Sequence, residues 1–172
     1  MRNKLMSTQN KHAFFYLGLI WCWGLLSTTL FMQYGMKLEP CPLCIVQRLV
    51  LFLLGIVFLI ACFHRPQNTG KKIYCFFIAL ISIFGVVIAG RHTWLQNNPT
   101  LQIESCGASL SYMLKTIPLT DTIRLLLQGT SECNKVEWRL LGLSLAEWSL
   151  LNFVWLSGLS IYYFATQIKK GG

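Results

Sequence analysis

Long unbroken apolar runs, rather than an alternation of apolar and polar positions, set the pattern of this chain. Four stand out, at about 13–32, 43–63, 73–90 and 148–165. Each is roughly 20 residues long, and at about 1.5 Å of rise per residue that crosses the ~30 Å hydrocarbon core of a bilayer. A backbone in lipid must satisfy its own N–H and C=O groups, so the runs are predicted to be helices. The expected fold is all-α: an antiparallel bundle of four transmembrane helices, forming a single membrane domain over residues 1–172. Arg2, Lys4 and Lys11 precede the first run, as in a signal peptide. The run is longer than a usual signal core and no small-x-small cleavage site follows, so it reads as a retained helix. The polar residues before it, 1–12, read as disordered.

The segments between the runs differ in kind. Residues 33–42 form a short loop. Residues 64–72, H-R-P-Q-N-T-G-K-K, read as a turn punctuated by Pro66 and Gly70. The stretch 91–147 is too long for a simple connection and points to function. Within it Leu110, Met113, Leu114 and Ile117 recur at helical spacing until Pro118. Thr120 or Asp121 can cap a second short turn carrying Ile123, Leu126 and Leu127, closed by Gly129. These are predicted to be short amphipathic helices, lying on the membrane surface or packed on the bundle top.

Composition supports the membrane reading. Only 12% of the 172 residues are charged, about half the share usual in soluble domains. The net charge of +9 could suggest nucleic acid, but the basic residues sit between the runs, where topology explains them better. Arg2, Lys4 and Lys11, then Arg65, Lys71 and Lys72, then Lys169 and Lys170 fall in three segments free of acids. All six acids, Glu39, Glu104, Asp121, Glu132, Glu137 and Glu147, fall on the other side. Cytoplasmic termini and two outer loops are therefore expected, at about 33–42 and 91–147.

That orientation gives the cysteines meaning. Cys41 and Cys44 form a C-x-x-C at the outer end of the second run, and Cys106 and Cys133 lie in the long outer loop. All four face the side where disulfides persist. Cys22, Cys62 and Cys75 fall within or near apolar runs and read as packing residues. Thiols in a C-x-x-C tend to ionise readily, and the thiolate is the species that attacks or leaves. If a helix begins near Leu43, Cys44 and Arg48 lie four apart on one face. A charge at mid-bilayer costs about 2.5–3.5 kcal/mol and less near the edge, so Arg48 is functional by default, with snorkelling to the headgroups as the plainer account. Pro40 and Pro42 stiffen the backbone around Cys41. Arg91, His92 and Trp94 at the end of the third run form an interfacial collar, or else bind a polar headgroup beside Cys44 and Arg48.

Three accounts of the four cysteines compete. Structural bridges suit Cys106 and Cys133, but a C-x-x-C gains little chain entropy from closure. A four-thiolate zinc site favours two tight pairs, and the gap from Cys106 to Cys133 is long. The third account is a disulfide relay, one pair meeting a protein partner and the other a membrane acceptor.

Here the chain resembles the DsbB family of disulfide bond formation proteins. The resemblance rests on C-P-L-C-I-V-Q-R at 41–48, G-R-H-T-W at 90–94, E-S-C-G at 104–107 and S-E-C-N at 131–134. It implies a bacterial inner-membrane thiol-disulfide oxidoreductase with its redox cysteines in the periplasm. It implies disulfides Cys41–Cys44 and Cys106–Cys133, the second attacked by a reduced DsbA-like carrier, with Cys106 as the site of the mixed disulfide. Cys41–Cys44 would re-oxidise that pair, and Cys44 would pass the electrons to a quinone, ubiquinone or menaquinone. Arg48 would stabilise the thiolate and the developing quinone charge. His92, or less well Arg91, would hydrogen-bond a quinone carbonyl. The vitamin K epoxide reductases are less similar, because there the loop cysteines precede the C-x-x-C. The non-enzymatic alternative is a four-helix membrane scaffold with a disulfide-stapled outer loop, similar in outline to tetraspanins. No metal and no nucleic-acid partner is expected.

Overall fold

The computed structural model describes residues 2–35, 41–98 and 139–169. Cys106, Cys133 and the amphipathic patterns at 110–117 and 120–129 lie outside the described residues. Four helices make up the frame: α1 (Arg2–Gly35), α2 (Pro42–His64), α3 (Asn68–Asn97) and α4 (Leu145–Lys169). A two-stranded hairpin, β1 (Arg139–Leu140) and β2 (Leu143–Ser144), leads into α4.

Three of these helices, over Ala13–Gly35, Pro42–His64 and Thr69–Asn97, are long and apolar enough to cross a membrane. Their outward surfaces carry Ile20, Phe31, Leu53, Phe63, Phe84 and Val87, all exposed. A water-soluble protein rarely exposes so continuous an apolar surface. The fourth helix is diluted by Ser149, Asn152, Ser157, Ser160 and Thr166. Its hydroxyls donate back to carbonyls one turn earlier, as Ser149 does to Leu145 and Ser160 to Leu156. Asn152 Oδ1 accepts from Trp21 Nε1 at 2.6 Å.

Every helix runs past its apolar stretch, and the ends have local causes. Residues 2–12, expected to be disordered, continue α1 without a breaker. Gly90 does not end α3: the helix carries on through Arg91–Asn97, and Asn98 leaves helical geometry at φ −129°, ψ 74°. A proline follows at 99, and the residue before a proline is pushed out of the α region. The loop expected from residue 91 therefore starts about two helical turns later. The turn between α2 and α3 is likewise shorter than 64–72. Arg65 caps α2 in the left-handed region, φ 43°, and donates its N–H to Ala61. At the start of α4, Ser144 and Glu147 form a reciprocal cap: Ser144 N–H donates to Glu147 Oε2 at 2.7 Å, and Glu147 N–H to Ser144 Oγ at 3.3 Å. This S-x-x-E box starts the helix three residues before the expected 148. In the hairpin, Leu141 and Gly142 both have positive φ, 55° and 84°, as a tight two-residue turn requires.

Side-chain pairs fix an antiparallel order. Phe14 of α1 meets Phe58 of α2, and Phe14 also stacks on Tyr163 of α4 with ring centroids 4.3 Å apart. His64 Nδ1 lies 3.0 Å from the Tyr74 hydroxyl across the α2–α3 turn. Cys22 and Cys75 are fully buried in the apolar core, with Cys62 packed against it. Close approach of α3 and α4 depends on Gly85, where a Cβ would fall 2.5 Å from the Phe153 ring. A Gly85→Leu substitution is expected to destabilise by about 1–3 kcal/mol through overpacking. The readout is the thermal midpoint in detergent. Gly24→Leu, whose Cβ position meets nothing within 4 Å, should leave it nearly unchanged; an equal drop for both would remove the packing account.

Candidate functional site

At one end of the bundle, the start of α2 meets the end of α3. Cys41 is the N-cap of α2, extended at φ −63°, ψ 159°, with Pro42 in the first helical position. Proline imposes that geometry on the residue before it and is itself suited to the first helical position, so the helix begins at Pro42, next to the expected Leu43. The Cys44 N–H donates to Cys41 Sγ at 3.4 Å. The positive end of the helix thus faces the Cys41 sulfur and favours negative charge there.

The sulfurs of Cys41 and Cys44 stand 3.2 Å apart. A disulfide needs about 2.05 Å, so a small rotation closes the bond. Cys41 is buried and Cys44 half-buried. Leu43, Ile88 and Leu95 wall the pair on the apolar side.

The third helix brings in His92, only 2% exposed. Ile88, His92 and Leu95 share one helical face, which turns toward α2. His92 Nε2 lies 3.6 Å from Cys41 Sγ, and Nδ1 lies 3.2 Å from Gln47 Nε2. His92 is therefore packed inside the bundle against a thiol, not part of an outer collar. Trp94 remains 57% exposed. Arg91 is half-buried, about 100° round α3 from His92.

A neutral imidazole carries one proton, and both of its placements are served here. With the proton on Nε2, the ring donates toward Cys41 while the Gln47 amide N–H donates to Nδ1. With the proton on Nδ1, the Gln47 carbonyl accepts it after an amide rotation, and Nε2 offers its lone pair to Cys41. Arg48, half-buried one turn beyond Cys44, donates from Nη1 to Gln33 Oε1 at the end of α1.

The structure thus brings together four residues expected from sequence, Cys41, Cys44, Arg48 and His92. It adds two that sequence reasoning missed, Gln47 and Gln33. Gln47 carried a usable signal, being a polar residue in an apolar run; it is 5% exposed. Gln33 had no comparable mark.

An apolar helical bundle with a vicinal dithiol, a buried imidazole and a guanidinium at one end defines a membrane-embedded thiol redox protein. Comparison with known proteins makes the class specific. The sequence model described as Disulfide bond formation protein DsbB matches residues 11–163. A Disulfide bond formation protein B from Methylococcus capsulatus is 39% identical over 156 residues, covering 91% of this chain and 95% of that protein. One from Xylella fastidiosa strain Temecula1 is 44% identical over 155 residues, covering 88% and 90%. One from Stutzerimonas stutzeri is 44% identical over 130 residues, covering 76% and 80%. The chain belongs to the DsbB family. It is a membrane protein of disulfide bond formation, with a thiol-oxidising role.

Proposed function

We propose that this protein is a four-span oxidase of the bacterial inner membrane that re-oxidises a DsbA-like periplasmic carrier and delivers the electrons to membrane quinone. The observation that carries the proposal is the Cys41–Cys44 dithiol, set between a helix N-terminus, His92 and the Arg48 side of α2. A static staple, as in the scaffold alternative, has no use for a buried imidazole at one sulfur. Support for a fourth span comes from α4, whose hydroxyls are satisfied within the helix while Leu151, Val154, Trp155 and Ile161 face outward.

In this reading the carrier's two thiols are oxidised as the Cys106–Cys133 disulfide is reduced. The two loop thiols then reduce the Cys41–Cys44 disulfide by exchange. The resulting dithiol gives up two electrons and two protons and closes again. A quinone supplies a lipid-soluble acceptor for both. The donor set fits such a group: Cys44 is the more exposed thiol, and Arg48 offers guanidinium N–H groups one turn away. His92 serves Cys41, since both its ring nitrogens already face protein neighbours; a quinone carbonyl would have to displace one of them. Arg91 stands further round the helix. The direct test is steady-state oxidation of reduced carrier by the purified protein with and without added quinone. Turnover indifferent to quinone would sink the proposal.

Two further outcomes are expected. With cytoplasmic termini, the exposed α2–α3 turn faces the cytoplasm. A Gln67→Cys variant in intact cells should resist an impermeant maleimide and react only after permeabilisation. Reaction from outside would reverse the orientation and move the dithiol to the wrong compartment. With Cys133→Ser, Cys106 should accumulate a reducible complex with the carrier. Equal accumulation in Cys106→Ser would overturn the assignment of the attacked sulfur.

A further inference from the structure

The expectation of no metal rested on a four-thiolate set, and the third helix changes that set. Cys41 Sγ, Cys44 Sγ and a nitrogen of His92 all lie within 4.8 Å of one another. In a tetrahedral zinc site with Zn–S of about 2.3 Å and Zn–N of about 2.0–2.1 Å, sulfurs stand about 3.8 Å apart and sulfur and nitrogen about 3.6 Å. The observed Cys41 Sγ to His92 Nε2 distance is 3.6 Å. The sulfurs, at 3.2 Å, need to open by roughly half an ångström, which one thiol rotamer adjustment supplies. Ligating histidines are usually held through their other ring nitrogen by a neighbouring polar group. Gln47, buried and 3.2 Å from Nδ1, is that group.

We propose that the reduced Cys41–Cys44 pair, with His92, forms a three-ligand site for a thiophilic d10 divalent cation of the zinc type. Binding releases the two thiol protons and leaves a neutral unit of one dication and two thiolates. A neutral unit suits an apolar end of a bundle, where a net charge is costly. A fourth ligand such as water would complete the tetrahedron. Closure of the disulfide removes both thiolates, so the site exists only in the reduced protein. The cation is then not a resident cofactor but a ligand that holds the pair reduced and opposes its re-oxidation.

The test uses the full-length protein carrying Cys106→Ser and Cys133→Ser, so that the loop thiols cannot contribute. It is reduced with a phosphine that is then removed, and titrated with Zn²⁺ without carrier or quinone. The result is thereby independent of the proposed relay. One Zn²⁺ per chain is expected, with affinity lost after oxidation to the disulfide. Cd²⁺ in its place should give the ultraviolet charge-transfer band of a thiolate-bound cation. Gln47→Ala should weaken Zn²⁺ binding by about 10–100-fold, the usual effect of removing the partner of a ligating histidine. His92→Ala should weaken it at least as much, and so should His92→Gln, which fills much of the space but is a poor zinc ligand. A loss shared by His92→Gln marks it as that of a ligand rather than of packing. Unchanged affinity in His92→Ala or in His92→Gln, or binding that survives oxidation, would each overturn the proposal.

Discussion

Replacing Arg48 by alanine is expected to lower quinone-dependent turnover by about 10²–10³, while the cysteines still form their disulfides. The magnitude is that of removing one preorganised donor from a water-poor site where charge develops, about 2.7–4 kcal/mol. Arg48 is half-buried one turn beyond Cys44, and Gln33 on α1 holds one arm of its guanidinium. The fork has five N–H donors, so a bond to Gln33 leaves others for a thiolate or a quinone oxygen. Lysine keeps the charge but loses the planar fork, so Arg48→Lys should recover only part of the rate. An arginine that merely snorkels predicts a different pair of results: lysine replaces it fully, and alanine costs stability instead of rate. The measurement is oxidation of reduced carrier against quinone concentration for the three proteins, folded to equal extent. Wild-type turnover in Arg48→Ala would remove Arg48 from the site.

The second large effect concerns His92. The dithiol must lose two protons each time it closes, and His92 Nε2 is the base 3.6 Å from Cys41 Sγ. A positioned acid–base group contributes about 10²–10⁴ in rate. His92→Ala should therefore slow re-oxidation of the Cys41–Cys44 pair by a factor in that range. The deficit should shrink as pH rises, because solvent then takes over deprotonation of the thiol. A structural role predicts a deficit independent of pH. Since His92 is buried among Leu95 and Ile88, His92→Gln serves beside it as a variant that fills more of the space. Both variants should show the same pH-dependent recovery. A flat pH profile in both would leave His92 as packing.

Much of the frame was legible because a bilayer imposes length and polarity rules that few sequences satisfy by accident. The apolar runs located all four helices. Their ends were less legible, because they depend on single residues that an apolar-run criterion skips. Pro99 and not Gly90 limits α3, and the Ser144–Glu147 cap starts α4. The C-x-x-C and Arg48 were legible through spacing along one helix. The meeting of His92 with Cys41 was not, since it depends on how α2 and α3 are rotated against each other. Position 92 is flanked by Arg91, Thr93 and Trp94, which gives it the look of a membrane-surface residue. Only the Ile88–His92–Leu95 face, seen against α2, turns it inward. Gln47 needed the same contact to become more than an apolar-run anomaly.

The bond from Ser144 Oγ to Gln96 Oε1, 2.8 Å long, has a kinetic consequence. It ties the start of α4 to the last turn of α3, so residues 99–138 leave and rejoin the bundle at nearly one point. That point is one helical turn from His92. By chain connectivity alone, Cys106 and Cys133 are leashed to the neighbourhood of the Cys41–Cys44 pair. A tether that returns the chain so close to its starting point corresponds to an effective concentration in the millimolar range. In the proposed relay, passage of the disulfide from one pair to the other would then be unimolecular, and its rate would not depend on how densely the membrane is stocked with this protein. The meetings with the carrier and with quinone would remain second-order encounters, so their abundance, and not the internal handover, is where cellular concentration would enter the flux.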